Sequence, residues 1–186
     1  VTHDMDEALK IADKICIMDN GKIAQYDTPE NILRNPANEF IQDFIGLDRV
    51  WSNPEYIKAR DIMIKDPVSA KPSRTIIQGI EIMKTSKVDS LLVIDKENKL
   101  EGIVTVKDMK SNINKSTSIG KVMSTEVLFV NEEDNLVDIL SVMNEHEVGY
   151  IPVVSNNNKL AGLITRSSLI SVLSEQFLET EVSVLG

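Results

Sequence analysis

With 186 residues the chain has room for one or two modest domains, and 42% hydrophobic residues suit a packed core. Asp and Glu outnumber Lys and Arg by 29 to 20, and the resulting charge of −9 argues against sequence-independent nucleic-acid binding, which needs a basic face. No apolar run approaches the ~18 residues that span a bilayer, and the single Cys16 excludes an internal disulfide and a cysteine zinc site, as suits a reducing cytoplasm.

The chain opens on Val1-Thr2-His3-Asp4 without a signal peptide, which reads as a piece of a longer protein. Met5, Leu9 and Ala12 at helical spacing predict a helix over Asp4–Asp13, its acidic residues near the favourable end of the dipole. Lys14–Asp19 and Lys22–Tyr26 flank Asn20-Gly21, the turn chemistry of a hairpin. Thr28-Pro29-Glu30 opens another helix, and Asn35-Pro36 breaks it before Ala37–Ile45. So short a block is expected to bury its apolar strands poorly, because a lone hairpin normally leans on a larger sheet. Its exposed strand edges would then invite pairing between chains.

Thr2-His3-Asp4-Met5-Asp6-Glu7-Ala8 resembles the switch-histidine segment of ABC-transporter ATPases. Ala12-Asp13-Lys14-Ile15, Met18, Asn20-Gly21-Lys22-Ile23 and Asp27-Thr28-Pro29-Glu30 follow that family in order and spacing. The resemblance implies that residues 1–46 are the end of an ATPase domain and that His3 contacts the γ-phosphate of ATP in the complete enzyme. The sequence has no G-x-x-x-x-G-K-[ST] loop, signature motif or strand ending in an acidic pair before His3. Without a loop of backbone donors and its Lys, nothing cradles phosphates or places Mg²⁺. No catalytic residue is therefore expected here, and ATP and Mg²⁺ belong to the complete parent.

Residues 47–60, with Trp51 and Asn53-Pro54, read as a linker. Beyond it the chain repeats without a gap at an offset of 60 residues: Met63 with Met123, Met83 with Met143, Val88 with Val148, Val93 with Val153, Gly102 with Gly162, Thr105 with Thr165. Such a repeat means that each copy is one packing unit docked on its twin, with a cleft between equivalent surfaces. The copies run 61–115 and 116–175, followed by a tail, 176–186. In each, Asp61-Ile62-Met63 or Lys121-Val122-Met123 leads to an extended Val68–Ala70 or Leu128–Val130. A helix follows, opened by Thr75-x-x-Gln78 or Asn135-x-x-Asp138 and buried along Ile76, Ile80, Met83 or Leu136, Leu140, Met143. Two strands come next, Leu91–Ile94 with Leu100–Thr105 and Tyr150–Val154 with Leu160–Thr165, then a helix just past each Thr. The predicted fold class is α/β (α+β), β-α-β-β-α twice, behind a tail of helices and a hairpin.

That order, with Gly102-Ile103-Val104-Thr105-Val106-Lys107-Asp108 at the strand-to-helix junction, resembles the CBS domain over residues 61 to about 175. Paired CBS motifs form a Bateman module, commonly a regulatory domain binding adenine nucleotides in its clefts. A Thr hydroxyl beside free N–H groups suits a phosphate, and the resemblance gives Asp108 the ribose hydroxyls. The alternative, that Thr105 and Thr165 simply cap helices and Asp108 serves the dipole, stays open. In the second copy Thr165-Arg166-Ser167-Ser168 loses that carboxylate and gains a guanidinium able to pair with phosphate bidentately. A cyclic dinucleotide, with fewer free hydroxyls per ribose than AMP, suits the exchange, and cyclic di-AMP fits. Tyr150, at the place Ser90 holds in the first copy, is the candidate stacking face for adenine. Val68, Val88 and Leu163 are candidate apolar walls. Tyr150 as a strand residue covering the core edge, and Arg166 as an ordinary surface residue, remain open as well.

Glu132-Glu133-Asp134 precedes a helix, where acidic residues usually serve the dipole rather than a metal. His146 reads as a solvated residue, and two histidines far apart suggest no metal or hydrolase site. An ATPase tail joined to a Bateman module resembles the ATP-binding subunits of importers for glycine betaine, carnitine or choline. The resemblance implies a homodimer that meets the transporter's membrane subunits at the cytoplasmic face of the membrane, with cyclic di-AMP as a regulatory ligand. An AMP or ATP sensor, and a ligand-free dimerisation or ionic-strength element, are the alternatives.

Overall fold

The computed structural model describes residues 1–46, 49–111, 114, 116–172 and 174. The expected tail 176–186, residues 47 and 48 of the expected linker, and the ends of both copies at 115 and 175 lie outside them. The chain divides into two compact units, Val1–Ile57 and Lys58–Val172.

In the first unit Asp4 caps α1 (Met5–Ile11), its carboxylate accepting the Glu7 amide. β1 (Ile15–Asp19) and β2 (Lys22–Asp27) pair antiparallel. Asn20 at φ 47° and Gly21 at φ 78° give the left-handed pair that a tight hairpin turn requires. Thr28 caps α2 (Pro29–Arg34), and α3 (Glu39–Ile45) follows, capped by Asn38. The expectation of poorly buried strands is corrected here. Ile15 and Ile17 are buried with Met5, Leu9, Ile32, Leu33, Ile41 and Ile45, because the three helices cover one face of the hairpin. The other face, with Met18, Ile23 and Tyr26, is exposed.

The second unit has the twofold pattern. α4 (Ala59–Ile62) leads into β3 (Ile64–Lys65), then β4 (Ser69–Ala70), α5 (Ile76–Ser86), β5 (Ser90–Ile94), β6 (Leu100–Thr105) and α6 (Val106–Ser111). The second copy repeats this as β7 (Val130–Asn131), α7 (Leu136–Glu145), β8 (Tyr150–Ser155), β9 (Lys159–Thr165) and a helix over 166–172. Each copy makes its own parallel-then-antiparallel sheet, β4-β5-β6 and β7-β8-β9. Thr75 and Gln78 form the expected capping box at α5, and Asn135 exchanges hydrogen bonds with Asp138 at α7.

Sequence reasoning did not foresee that the copies exchange their leading segments. β3 pairs with β9, Ile64 opposite Leu163. The counterpart of Ile64, Ser124, exchanges hydrogen bonds of 2.8 and 2.9 Å with Ile103, the counterpart of Leu163. Both glycines of the repeat lie at these crossings. A Cβ on Gly162 would stand 2.5 Å from the Met63 sulfur and 2.9 Å from the Ile64 carbonyl oxygen. On Gly102 it would stand 2.8 Å from the Met123 sulfur and 2.6 Å from the Ser124 carbonyl oxygen. The paired Met and Gly positions are therefore one joint, used twice.

β5 is buried on both faces, which explains its unbroken apolar run. Leu91 and Val93 pack beneath α5 with Ile76, Met83, Val104 and Met109. Leu92 points the other way, into a cluster with Leu100, Ile103 and Val154 that joins the two copies. That joining core forms the floor of the site.

Candidate functional site

A cleft of about 680 Å³ lies between the two copies. The first copy supplies Val68 from the approach to β4, and Lys87, Val88, Asp89 and Ser90 from the turn between α5 and β5. Leu92 and Ile103 line the floor, and the second copy supplies Tyr150, Leu163, Thr165 and Ser167. The turn is shaped by Lys87, which ends α5 at φ 55°, and by the Val88 amide, which donates to the Met83 carbonyl at 3.0 Å. The chain reverses there, so residues 87–90 run along the cleft edge. Across it, Tyr150 opens β8 directly opposite Thr165 on β9.

Tyr150 is half-buried and packs on the Leu92, Leu100, Ile103 and Val154 cluster. Burial, with the negative charges of Asp89 and Asp108 behind it, pushes its phenol above the usual tyrosine range. It therefore covers the core edge and lines the cleft at once.

Six sequence-selected residues come together in this cleft: Val68, Val88, Ser90, Tyr150, Leu163 and Thr165. Thr105, Asp108 and Arg166 are not among its lining residues. Asp108 accepts from the Thr105 amide at 2.8 Å and from its hydroxyl at 2.7 Å through the same carboxylate oxygen, a cap at the start of α6. In the second copy the Ser168 hydroxyl accepts from the Thr165 amide at 3.0 Å, and the Thr165 hydroxyl accepts from the Ser168 amide at 3.0 Å. The exchange of Asp for Ser keeps the cap and removes the charge. Arg166 is exposed, between two residues that line the cleft, and its amide donates to the Gly149 carbonyl at 3.1 Å.

Lys87, Asp89, Leu92, Ile103 and Ser167 line the cleft without having been selected from the sequence. Two signals pointed to three of them. Lys87 and Asp89 flank Val88, and Ile103 is the repeat partner of Leu163 at the same offset of 60. Elsewhere, Glu133 pairs with Arg60 and Asp134 accepts the Asn131 amide at 2.8 Å. His146 ends α7 in solvent, and His3 is exposed ahead of α1. Among the described residues no helix is long and apolar enough to cross a membrane.

The family model of the CBS domain matches residues 59–115 and 119–175. The chain belongs to the CBS domain family. It is 41% identical over 174 residues to the glycine betaine/carnitine/choline transport ATP-binding protein OpuCA of Bacillus subtilis, a match covering 93% of this chain and 46% of that protein. The chain thus spans about half the length of this curated relative. Among solved structures, Staphylococcus aureus OpuCA superposes with a TM-score of 0.55 at 26% identity, over 61% of this chain and 97% of the other. CBSX2, solved in complex with AMP, superposes with a TM-score of 0.58 at 25% identity, over 64% of this chain and 97% of the other.

Proposed function

We propose that the tandem CBS unit is the regulatory, nucleotide-binding module of the ATP-binding subunit of an osmoprotectant importer, and that its cleft takes cyclic di-AMP. The observation that carries the reading is the cleft itself. It brings Tyr150 together with apolar walls from Val68, Val88 and Leu163 and with Ser90, Thr165 and Ser167. A flat aromatic face in an apolar slot suits adenine, and clustered donors with Arg166 at the rim suit phosphate. On the second copy's helix Ser168 replaces a carboxylate, which favours a ligand with bridged hydroxyls over one with a free ribose diol. The name of the Bacillus subtilis relative supports the transporter setting.

Ligand bound in the cleft favours one arrangement of the module and biases the attached ATPase domains away from transport. The subunit works as a homodimer, meets the membrane subunits of its importer and lies at the cytoplasmic face of the membrane. Residues 1–46 are the end of its ATPase domain, with His3 as the switch histidine. ATP and Mg²⁺ are needed only by the complete subunit, and this stretch does not hydrolyse ATP.

An AMP sensor is the second reading. It is favoured by the AMP complex of CBSX2 and by Asp108, retained in the first copy. Calorimetric titration of the chain with cyclic di-AMP, AMP and ATP, repeated for Tyr150→Ala and Arg166→Ala, separates the two. Cyclic di-AMP binding lost in both variants supports the first reading. Selective AMP binding makes the module an energy sensor, and no heat from any nucleotide refutes both.

A further inference from the structure

We infer that Lys87 is a phosphate-contacting residue of the cleft and makes it selective for an anionic ligand. The inference rests on the nucleotide-binding reading above and adds to it a residue that neither the repeat nor the family resemblance singled out. Among the described residues that line the cleft, Lys87 is the only cationic one, and it is exposed. Among the described residues its ammonium has no ion-pair partner, although Asp89 lies two residues away in the same lining. An unpaired ammonium beside a slot of apolar walls and hydroxyls gives a bound phosphate a charged donor, stronger than a neutral one.

The repeat supplies an independent observation. At the offset of 60, the counterpart of Lys87 is Glu147. The two share one backbone conformation, φ 55° and φ 53°. They also share the local closure: the amides of Lys87 and Glu147 donate to Lys84 and Asn144, and those of Val88 and Val148 to Met83 and Met143 at 3.0 Å. The turn therefore accepts either charge, so folding does not require lysine at 87. A left-handed position favours Gly or Asn, yet here it carries opposite long charged side chains in the two copies. At the equivalent place in the second copy a carboxylate would repel the phosphate that Lys87 attracts. Lys107, the counterpart of Ser167, places a cation on α6 at the equivalent position. The contrast is thus specific to the turn.

The test is calorimetric titration of the full chain with cyclic di-AMP for wild type, Lys87→Gln and Lys87→Arg, with melting followed by circular dichroism. Loss of a charged hydrogen bond should weaken binding roughly tenfold in Lys87→Gln, and Lys87→Arg should restore most of it. Salt should weaken wild type more than Lys87→Gln, because screening acts on the lost charge pair. The melting midpoint of Lys87→Gln should stay at the wild-type value. Lys87→Gln binding within about twofold of wild type, or Lys87→Arg as weak as Lys87→Gln, overturns the inference and leaves the nucleotide reading standing. Wild-type chain that binds no cyclic di-AMP overturns both.

Discussion

The two copies of the repeat share their joints and part company at several positions around the cleft. Met63 and Met123 cross Gly162 and Gly102 in the same way, and Val93 and Val153 are equally buried. Around the cleft the pairs diverge: Lys87 against Glu147, Asp89 against Gly149, Ser90 against Tyr150, Val106 against Arg166 and Asp108 against Ser168. An internal repeat thus serves as its own control: the turn that carries Lys87 in one copy and Glu147 in the other keeps the same left-handed φ, so its backbone does not require either charge.

The sharpest way to break this comparison is at the shared core. Leu91 and Ile151 are wholly buried at equivalent positions. Leu91→Ala and Ile151→Ala should each cost about 2–5 kcal/mol in urea unfolding, and a cost confined to one of them would show that the copies do not fold as one unit. Next come the joints. Gly102→Ala and Gly162→Ala force a methyl group against the other copy's backbone oxygen and should each cost about 1–3 kcal/mol. Trimming the methionine in the double variant Gly162→Ala, Met63→Ala should not restore the loss, since the Ile64 carbonyl stays in place.

The N-caps are a smaller shared feature. Thr75→Ala and Asn135→Ala should each lower stability by about 1 kcal/mol, measured as a shift in urea midpoint. The last prediction concerns a difference. Asp95 accepts the Lys99 and Glu97 amides at 2.8 and 2.7 Å, and these bonds, Lys99 foremost, hold its carboxyl below the usual aspartate range. Its counterpart is Ser155, which has no such titration. A carboxyl lowered in the folded state stabilises fully above the unfolded aspartate pKa, and the contribution is lost as pH falls through the folded value. Urea midpoints from about pH 5 down to about pH 2.5 should therefore fall less steeply in Asp95→Asn than in wild type. An unchanged slope would show that this turn does not couple to folding.

Much of the fold was legible because the repeat needed no geometry to detect. The helix starts at Thr75 and Asn135 and the hairpin at Asn20-Gly21 are local chemistry, readable from a few neighbours. The crossing of β3 onto β9 was not, since two-residue strands carry no periodicity and their partners lie about 100 residues away. The burial of Ile15 and Ile17 depended on three short helices closing together, which the hairpin's own sequence does not encode. In the site, residues chosen for chemical type, such as Tyr150 and Thr165, came together. Lys87 and Asp89 escaped notice because a charged residue in a turn is ordinarily solvated.

The central claim is that one of two equivalent surfaces, the cleft walled by Lys87, Ser90, Tyr150 and Thr165, receives the nucleotide. Amide and methyl NMR of the labelled chain, titrated with cyclic di-AMP, tests this directly. The account predicts saturable shifts at Val68, Val88, Ser90, Tyr150 and Thr165, with the counterparts Leu128, Val148 and Thr105 changing far less. Shifts of equal size in both sets, or larger ones at Leu128, Val148 and Thr105, would contradict it.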